Sequence, residues 1–360
     1  MKLGILGPPQ CGKTTLFTAL TRGQAEAGSS RGEKVHLGSV KVPDERLDRL
    51  RDLYQPKKFT PAKVDYVDAP PLETSHGDRG ALAALSALRD VDAFVLVVRA
   101  FADPAVPHFK ETIDAARDAG WLAGELLLED LAVVERRLDR IEKSLKVGKK
   151  PEDLNEHEGL KRVCEALEGG RPARAAGLTP IQERSLRGFQ LFSARPWIYV
   201  VNADDEALRG GEEVLIRPIL RGLPEPPPPL IALSAKTEAE LVTLPEDEAG
   251  EFMAVLGIAE PGLTRMIRLS YGALGLISFF TVGPDEVRAW TVRDGALAPE
   301  AAGAIHSDLE RGFIRAEVIS YPDHIEAGTM AKARERGLLR TEGRDYKVQD
   351  GDVVNIRFSV

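Results

Sequence analysis

Eight residues near the amino terminus constrain this chain more than any other stretch. Gly7-Pro8-Pro9-Gln10-Cys11-Gly12-Lys13-Thr14 matches the spacing G-x-x-x-x-G-K-[ST]. The match follows the apolar run Lys2 to Leu6 and precedes the amphipathic stretch Thr14 to Arg22, the strand-to-helix setting in which such a loop cradles phosphate. Gly7 and Gly12 let the backbone curl so that successive N–H groups converge on phosphate oxygens, and the helix that follows adds its partial positive end. Pro8, Pro9, Gln10, Cys11 and Thr15 complete the cradle. Lys13 is expected to reach the β- and γ-phosphates of a nucleotide, and Thr14 to ligate Mg²⁺ through its hydroxyl. The competing reading is a glycine-rich turn that meets the pattern by chance, and the flanking strand and helix weigh against it. Cys11 lies beside a helix N-terminus and an ammonium group, conditions that lower a thiol pKa, so redox control is an expectation here; the alternative is a small apolar filler.

Further apolar, β-branched runs follow at Val64 to Val67, Ala93 to Val98, Trp197 to Val201 and Leu230 to Leu233, separated by helical stretches. Buried parallel strands read as continuous apolar runs, so the alternation predicts an α/β fold with a mostly parallel sheet covered by helices. At 360 residues two or three domains are expected. No apolar run approaches the roughly 20 residues that span a bilayer, and the first residues lack a signal-peptide core, so the reading is cytoplasmic with no membrane insertion. Cys11 and Cys164 are the two cysteines, too far apart in sequence to suggest a disulfide framework or zinc site, which fits a reducing compartment. A net charge of −8 argues against coating nucleic acid through bulk charge and makes any RNA contact focal.

Leu127, Leu131, Val134, Leu138, Ile141 and Leu145 alternate spacings of four and three, a heptad seam. Gly148, Lys149, Lys150 and Pro151 offer a turn, and Leu160, Val163, Cys164 and Leu167 a facing stripe, which predicts an antiparallel helical hairpin. Thr179-Pro180-Ile181-Gln182 has the form of a capping box that starts a further helix. Beyond Leu276 short alternating strands appear at Val287 to Val292, Phe313 to Tyr321 and Val353 to Val360, with Asp294-Gly295 and Asp350-Gly351 as turns. The expected division is a nucleotide-binding domain at 1–124 and 195–275, a hairpin insertion at 125–194, and a small α+β domain at 276–360.

After the phosphate loop come Asp68 at a strand end, Asn202-Ala203-Asp204-Asp205 at another, and Ser234-Ala235-Lys236. That order resembles the translation-factor class of P-loop GTPases, in which the aspartate holds the Mg²⁺ water shell and the other two motifs hold the base. Leu178-Thr179-Pro180-Ile181-Gln182-Glu183, Ser234-Ala235-Lys236-Thr237-Glu238-Ala239-Glu240-Leu241 and Phe279-Phe280-Thr281-Val282-Gly283 sharpen the resemblance to the YchF subfamily of Obg-like ATPases, over nearly the whole chain. Glu286 to Val292, Gly312 to Val318 and Asp345 to Val353 look like that family's TGS domain. The resemblance implies a G domain, a coiled-coil insertion and a β-grasp TGS domain, with ATP and Mg²⁺ as ligands and ribosomes as partners.

Three departures from the family pattern bear on function. The Asp-x-x-Gly switch motif is Asp68-Ala69-Pro70-Pro71, and Pro71 has no N–H to offer a γ-phosphate. The first switch region, Ala27 to Val42, contains Ser29 and Ser30 but no threonine for the second Mg²⁺ contact. Asp205 stands where the family usually has glutamate, so GTP remains an alternative to ATP; yet Ala203 replaces the lysine that packs along guanine. His108 aligns with the family's loop histidine that orients the attacking water, and the resemblance implies that catalytic role.

From 276 to 360 there are 11 Lys/Arg against 14 Asp/Glu, so this part is not basic as a whole. Lys332, Arg334, Arg336, Arg340 and Arg344 form a cluster interrupted by Glu335 and Glu342, which reads either as a phosphate-contacting patch or as a solvated helix face. Two functional readings follow: a slow ATPase switch docking on ribosomes or RNA through the TGS and helical parts, or a nucleotide-binding adaptor that does not hydrolyse. A monomer is expected in either case. A metabolic kinase is a distant third, since it gives the Asn202 and Ser234 loops no purpose.

Overall fold

The computed structural model describes residues 1–30, 33–72, 85–147, 151–223 and 227–359. The chain forms two compact units, one of Met1–Ser39 with Asp65–Met266, the other of Val40–Val64 with Ile267–Val360.

The first unit is built on a seven-stranded sheet. Its strands are β1 (Lys2–Leu6), β2 (Glu26–Ser30), β3 (Glu33–Lys41), β5 (Lys63–Asp68), β6 (Ala93–Ala100), β7 (Trp197–Ala203) and β8 (Leu230–Leu233), in the order β2-β3-β5-β1-β6-β7-β8. β5, β1, β6, β7 and β8 run parallel, and β2 adds an antiparallel edge on β3. β7 is buried along its whole length, as a strand covered on both faces must be. The register sets Ile5 beside Asp68 on one side and beside Val95 on the other, and Arg99 beside Asn202. The carboxyl ends of the strands therefore gather the expected site residues, the usual ligand edge of an open parallel sheet.

Helix α1 (Lys13–Thr21) leaves the phosphate loop directly. The expected hairpin consists of α3 (Ala115–Val147) and α4 (Pro151–Glu168). α3 begins ten residues before the 125 boundary and, at 1.5 Å per residue, is about 50 Å long. Its seam is internal packing: Leu127, Val134 and Ile141 are buried with Leu160, Val163 and Leu167, and Leu131, Leu138, Leu145 and Cys164 pack at the margin. Gly148, Lys149 and Lys150 of the expected turn lie outside the described residues. The hairpin is fastened near the start of β7 by Asp130, which accepts hydrogen bonds from the Phe192 and Ser193 amides and the Ser193 hydroxyl. Burial still pushes this carboxyl up to about 6. Thr179 and Gln182 form the expected capping box at the start of α5 (Pro180–Leu186). No described helix is long and apolar enough to cross a membrane.

The second unit is a six-stranded mixed sheet whose strands lie in the order β12 (Arg340–Glu342), β11 (Phe313–Ile319), β13 (Val353–Phe358), β9 (Leu276–Thr281), β10 (Glu286–Arg293) and β4 (Lys58–Thr60). β9 and β10 form a hairpin, and β11 pairs antiparallel with β12 and β13. β11 stops at Ile319 rather than Tyr321, because Ser320 caps the helix α7 (Tyr321–Ala327) that follows. β13 ends at Phe358, and Val360 lies outside the described residues. Phe279, Phe313, Ala316, Val318 and Val354 form its core with Ala298, Ala301 and Ala302 from the helix Ala298–Ile305.

Val40–Val64, placed within 1–124 from sequence, is part of this second unit. It supplies α2 (Glu45–Tyr54) and β4 (Lys58–Thr60), and β4 lies parallel to β10, with Lys58 opposite Glu286. Arg46 bridges Asp44 and Asp350 and lies over the Phe280 ring, while Tyr54 stacks on His324 and shares a 2.9 Å hydrogen bond with it.

Candidate nucleotide-binding site

The loop between β1 and α1 is held open by two glycines that nothing larger could replace. A Cβ at Gly7 would lie 2.6 Å from the Val97 carbonyl oxygen and 2.7 Å from Cys11 Sγ. At Gly12 the backbone is left-handed, φ +88°, and a Cβ would stand 2.1 Å from Asn202 Nδ2. Gly12 starts the helix, its carbonyl accepting from Leu16 N at 2.9 Å. Pro8 and Cys11 are buried in the loop, Pro9 is half-buried, and Gln10, Thr14 and Thr15 are exposed.

Lys13 and Thr14 converge on Asp68. Thr14 donates its hydroxyl proton to Asp68 Oδ2 at 3.0 Å, and Lys13 Nζ stands 3.9 Å from Oδ1. Asp68 is only 5% exposed; burial raises its carboxyl above the usual range, and the Lys13 ammonium and Thr14 hydroxyl oppose that rise. Its Oδ1 is buried and accepts no hydrogen bond. A hydroxyl and a carboxylate side by side, one carboxylate oxygen short of a donor, fit a hydrated Mg²⁺ that takes its other ligands from phosphate and water.

Asn202 joins two loops. Its Nδ2 donates to the Cys11 carbonyl at 3.0 Å, and its Oδ1 accepts from Ala235 N at 2.9 Å, so the phosphate loop and the Ser234-Ala235-Lys236 loop share one buried amide. Ser234 caps the helix α6 (Ala235–Leu241) through Thr237 N, while Lys236 is exposed. Asp205 lies beside this loop, accepting the Thr237 hydroxyl at 2.6 Å. Thr237 was not among the expected site residues, although a hydroxyl one residue past Ser-Ala-Lys is a readable signal.

The Asp68-Ala69-Pro70-Pro71 segment turns back on the loop it follows. Leu72, the first residue after the prolines with an N–H, donates it to the Gly7 carbonyl at 3.0 Å, and Leu72 is buried. Residues 73–84 lie outside the described set. Ser29 and Ser30 pair with Lys34 and Glu33 in the β2–β3 ladder.

Cys11 is not the activated thiol expected from its neighbours. It is 1% exposed, and burial pushes the thiol up to about 11 against the opposing effects of Lys13 and nearby amides. The apolar-filler reading holds, because desolvation of a thiolate outweighs a nearby ammonium and helix end.

His108 sits on the loop after β6, with its ring in contact with Asp118, Phe109 and the Lys110 amide rather than with Lys13, Thr14 or Asp68. Arg99, which the sequence reading did not single out, organises that loop: it is buried and donates to the carbonyls of Phe101 and Val106.

The full-length comparisons match this architecture. "Ribosome-binding ATPase YchF" of Bacillus subtilis is 40% identical across 99% of both chains, and the protein of the same name from Haemophilus influenzae 37% across 100% of this chain and 99% of its own. "Obg-like ATPase 1" of rice (Oryza sativa subsp. japonica) is 35% identical, covering 100% of this chain and 92% of that one. The structure of the Schizosaccharomyces pombe YchF GTPase superimposes with a TM-score of 0.87 at 32% identity, over 99% of this chain and 97% of that one. The family model YchF-GTPase_C, described as a protein of unknown function (DUF933), matches residues 276–359.

Proposed function

This chain belongs to the YchF family, and we propose that it is a slow, Mg²⁺-dependent ATPase whose nucleotide state governs docking on ribosomes. The observation that carries the reading is the convergence of Lys13, Thr14 and Asp68 beneath a loop that only glycine at positions 7 and 12 allows. Lys13 would neutralise the β- and γ-phosphates, and the loop amides would hold them in line. Thr14, through its hydroxyl, and Asp68, through water, would hold Mg²⁺, which would supply charge stabilisation for phosphoryl transfer. His108 would orient the attacking water once its ring faces the phosphates. ATP is favoured over GTP because Ala203 gives guanine no lysine to lie against and the Thr237 hydroxyl already occupies one oxygen of Asp205.

The proposed division of labour has a G domain at 1–124 and 195–275, less the Val40–Val64 segment that joins the C-terminal unit, a hairpin at 125–194 and a TGS domain at 276–360, with the last two recognising ribosome or RNA. A cytoplasmic monomer is part of the same proposal. One observation favours a second reading, an adaptor that binds nucleotide without cleaving it: Pro71 has no N–H, and the next one, at Leu72, is spent on Gly7.

Calorimetric titration with ATP and GTP in Mg²⁺, with phosphate release followed in the same samples, separates the readings. Binding of ATP that Lys13→Ala loses, together with slow release that His108→Ala loses at unchanged affinity, is the expected result. Binding without release selects the adaptor, GTP preference makes Asp205 the base reader, and the absence of binding ends both readings.

A further inference from the structure

The contacts of His108 do not suit a water-orienting residue. Its Nδ1 accepts from the Lys110 amide at 3.1 Å, and its Nε2 lies 2.9 Å from Asp118 Oδ2. The His108 side chain is 3% exposed and that of Asp118 0%. Phe109 lies against the ring at 4.7 Å between centroids, and Trp121 backs Phe109 at 5.2 Å. A histidine that holds an attacking water must turn one ring nitrogen toward it. Here both nitrogens face protein.

Asp118 itself is rigidly presented. It lies in the first turn of α3, its amide donating to the Asp114 carbonyl and its Oδ1 accepting from Arg117 Nε at 2.9 Å. Arg117 is in turn fixed by the Thr112 carbonyl and hydroxyl at 2.7 and 2.8 Å. The approach of His108 to Asp118 is close but off the hydrogen-bond axis, so Nε2 and Oδ2 are buried without a well-directed partner. Atoms in that position forgo part of the energy that buried polar groups normally recover, which leaves the contact easy to break.

We propose that Asp118 is a positioning residue that stores His108 away from the nucleotide, and that hydrolysis requires the histidine to leave it. The proposal rests on the catalytic reading of His108 above. An aspartate that merely oriented a catalytic histidine would leave the opposite ring nitrogen open to the reaction, as in an Asp-His-nucleophile relay; here the Lys110 amide fills it. Because Asp118 belongs to the first helix of the hairpin, any partner that shifts the first turn of α3 would act directly on the stored histidine.

The test measures His108 carbethoxylation by diethyl pyrocarbonate, with peptide mapping by mass, alongside phosphate release from ATP. Both are run on the full chain at one pH, for the wild type, Asp118→Ala, Asp118→Asn, His108→Ala and Asp118→Ala/His108→Ala. Asp118→Ala is expected to raise His108 modification by about tenfold, the change that loss of one modest interaction produces in an equilibrium. Asp118→Asn, which keeps the shape and removes the charge, is expected to fall between, and serves alone if the alanine variant does not fold. Phosphate release should rise in the same order, and the gain should vanish in the double variant. Unchanged modification in a folded Asp118 variant overturns the storage role; so does phosphate release that falls to the His108→Ala level while modification rises. Wild-type release from His108→Ala alone would end the catalytic reading instead, and the modification rates would still decide whether Asp118 holds the ring.

Discussion

Asn202 shows how much one amide can carry. It satisfies the Cys11 carbonyl and the Ala235 amide together, both buried, and it sits where a side chain on Gly12 would otherwise be. Asn202→Ala strands two polar groups, and each buried group left unpaired costs about 1–3 kcal/mol. The expected outcome is at least tenfold weaker nucleotide binding by calorimetry, with a lowered melting temperature; unchanged affinity would show that the two loops are held by other contacts. The residues of the phosphate loop were legible in sequence because each needs a particular backbone or charge at a particular spacing. The environment of Cys11 was not, since the sequence places an ammonium and a helix end nearby but cannot state that the thiol is buried. Asp118 was equally hidden, ten residues from His108 in sequence and marked by no motif.

The hairpin teaches a related lesson about elements. Heptad periodicity predicted α3 and α4 and their facing stripes, because the spacing of apolar residues is itself the packing rule. It could not reveal Asp130, a polar residue in the buried seam region that anchors α3 to Phe192 and Ser193. With its carboxyl raised to about 6 by burial, Asp130 ionises later in the native chain than in the unfolded one, so its contribution to stability declines as pH rises from about 4 to 6. Asp130→Asn lacks that titration. The melting-temperature difference, wild type minus variant, should therefore shrink across this window; a difference independent of pH would show that the carboxyl is not shifted.

At the level of the molecule, the alternation of strands and helices gave the parallel sheet, and the short alternating strands gave the C-terminal one. The exchange of Val40–Val64 into the second unit was not legible, because β4 finds its neighbour β10 far along the chain and pairing partners leave no trace in local periodicity. Arg46 is the fastening that can be tested. Arg46→Ala removes the bridge to Asp350 and the contact with Phe280, and should speed amide hydrogen exchange across Glu45–Tyr54 and Lys58–Thr60 by at least tenfold, the effect of losing about 1.4 kcal/mol of local stability. Protection at wild-type levels would mean that apolar packing alone holds the segment.

The same exchange sets a timetable for synthesis. Lys57 and its partner Asp285 are separated by 228 residues, which at about 5–20 residues per second is a wait of roughly 11–46 s between the emergence of one and of the other. During that interval Leu47 and Leu50, buried in the finished protein, have no sheet to rest on. A nascent chain of this protein therefore carries the segment between β3 and β5, with these two leucines still uncovered, until β10 near residue 290 has been made.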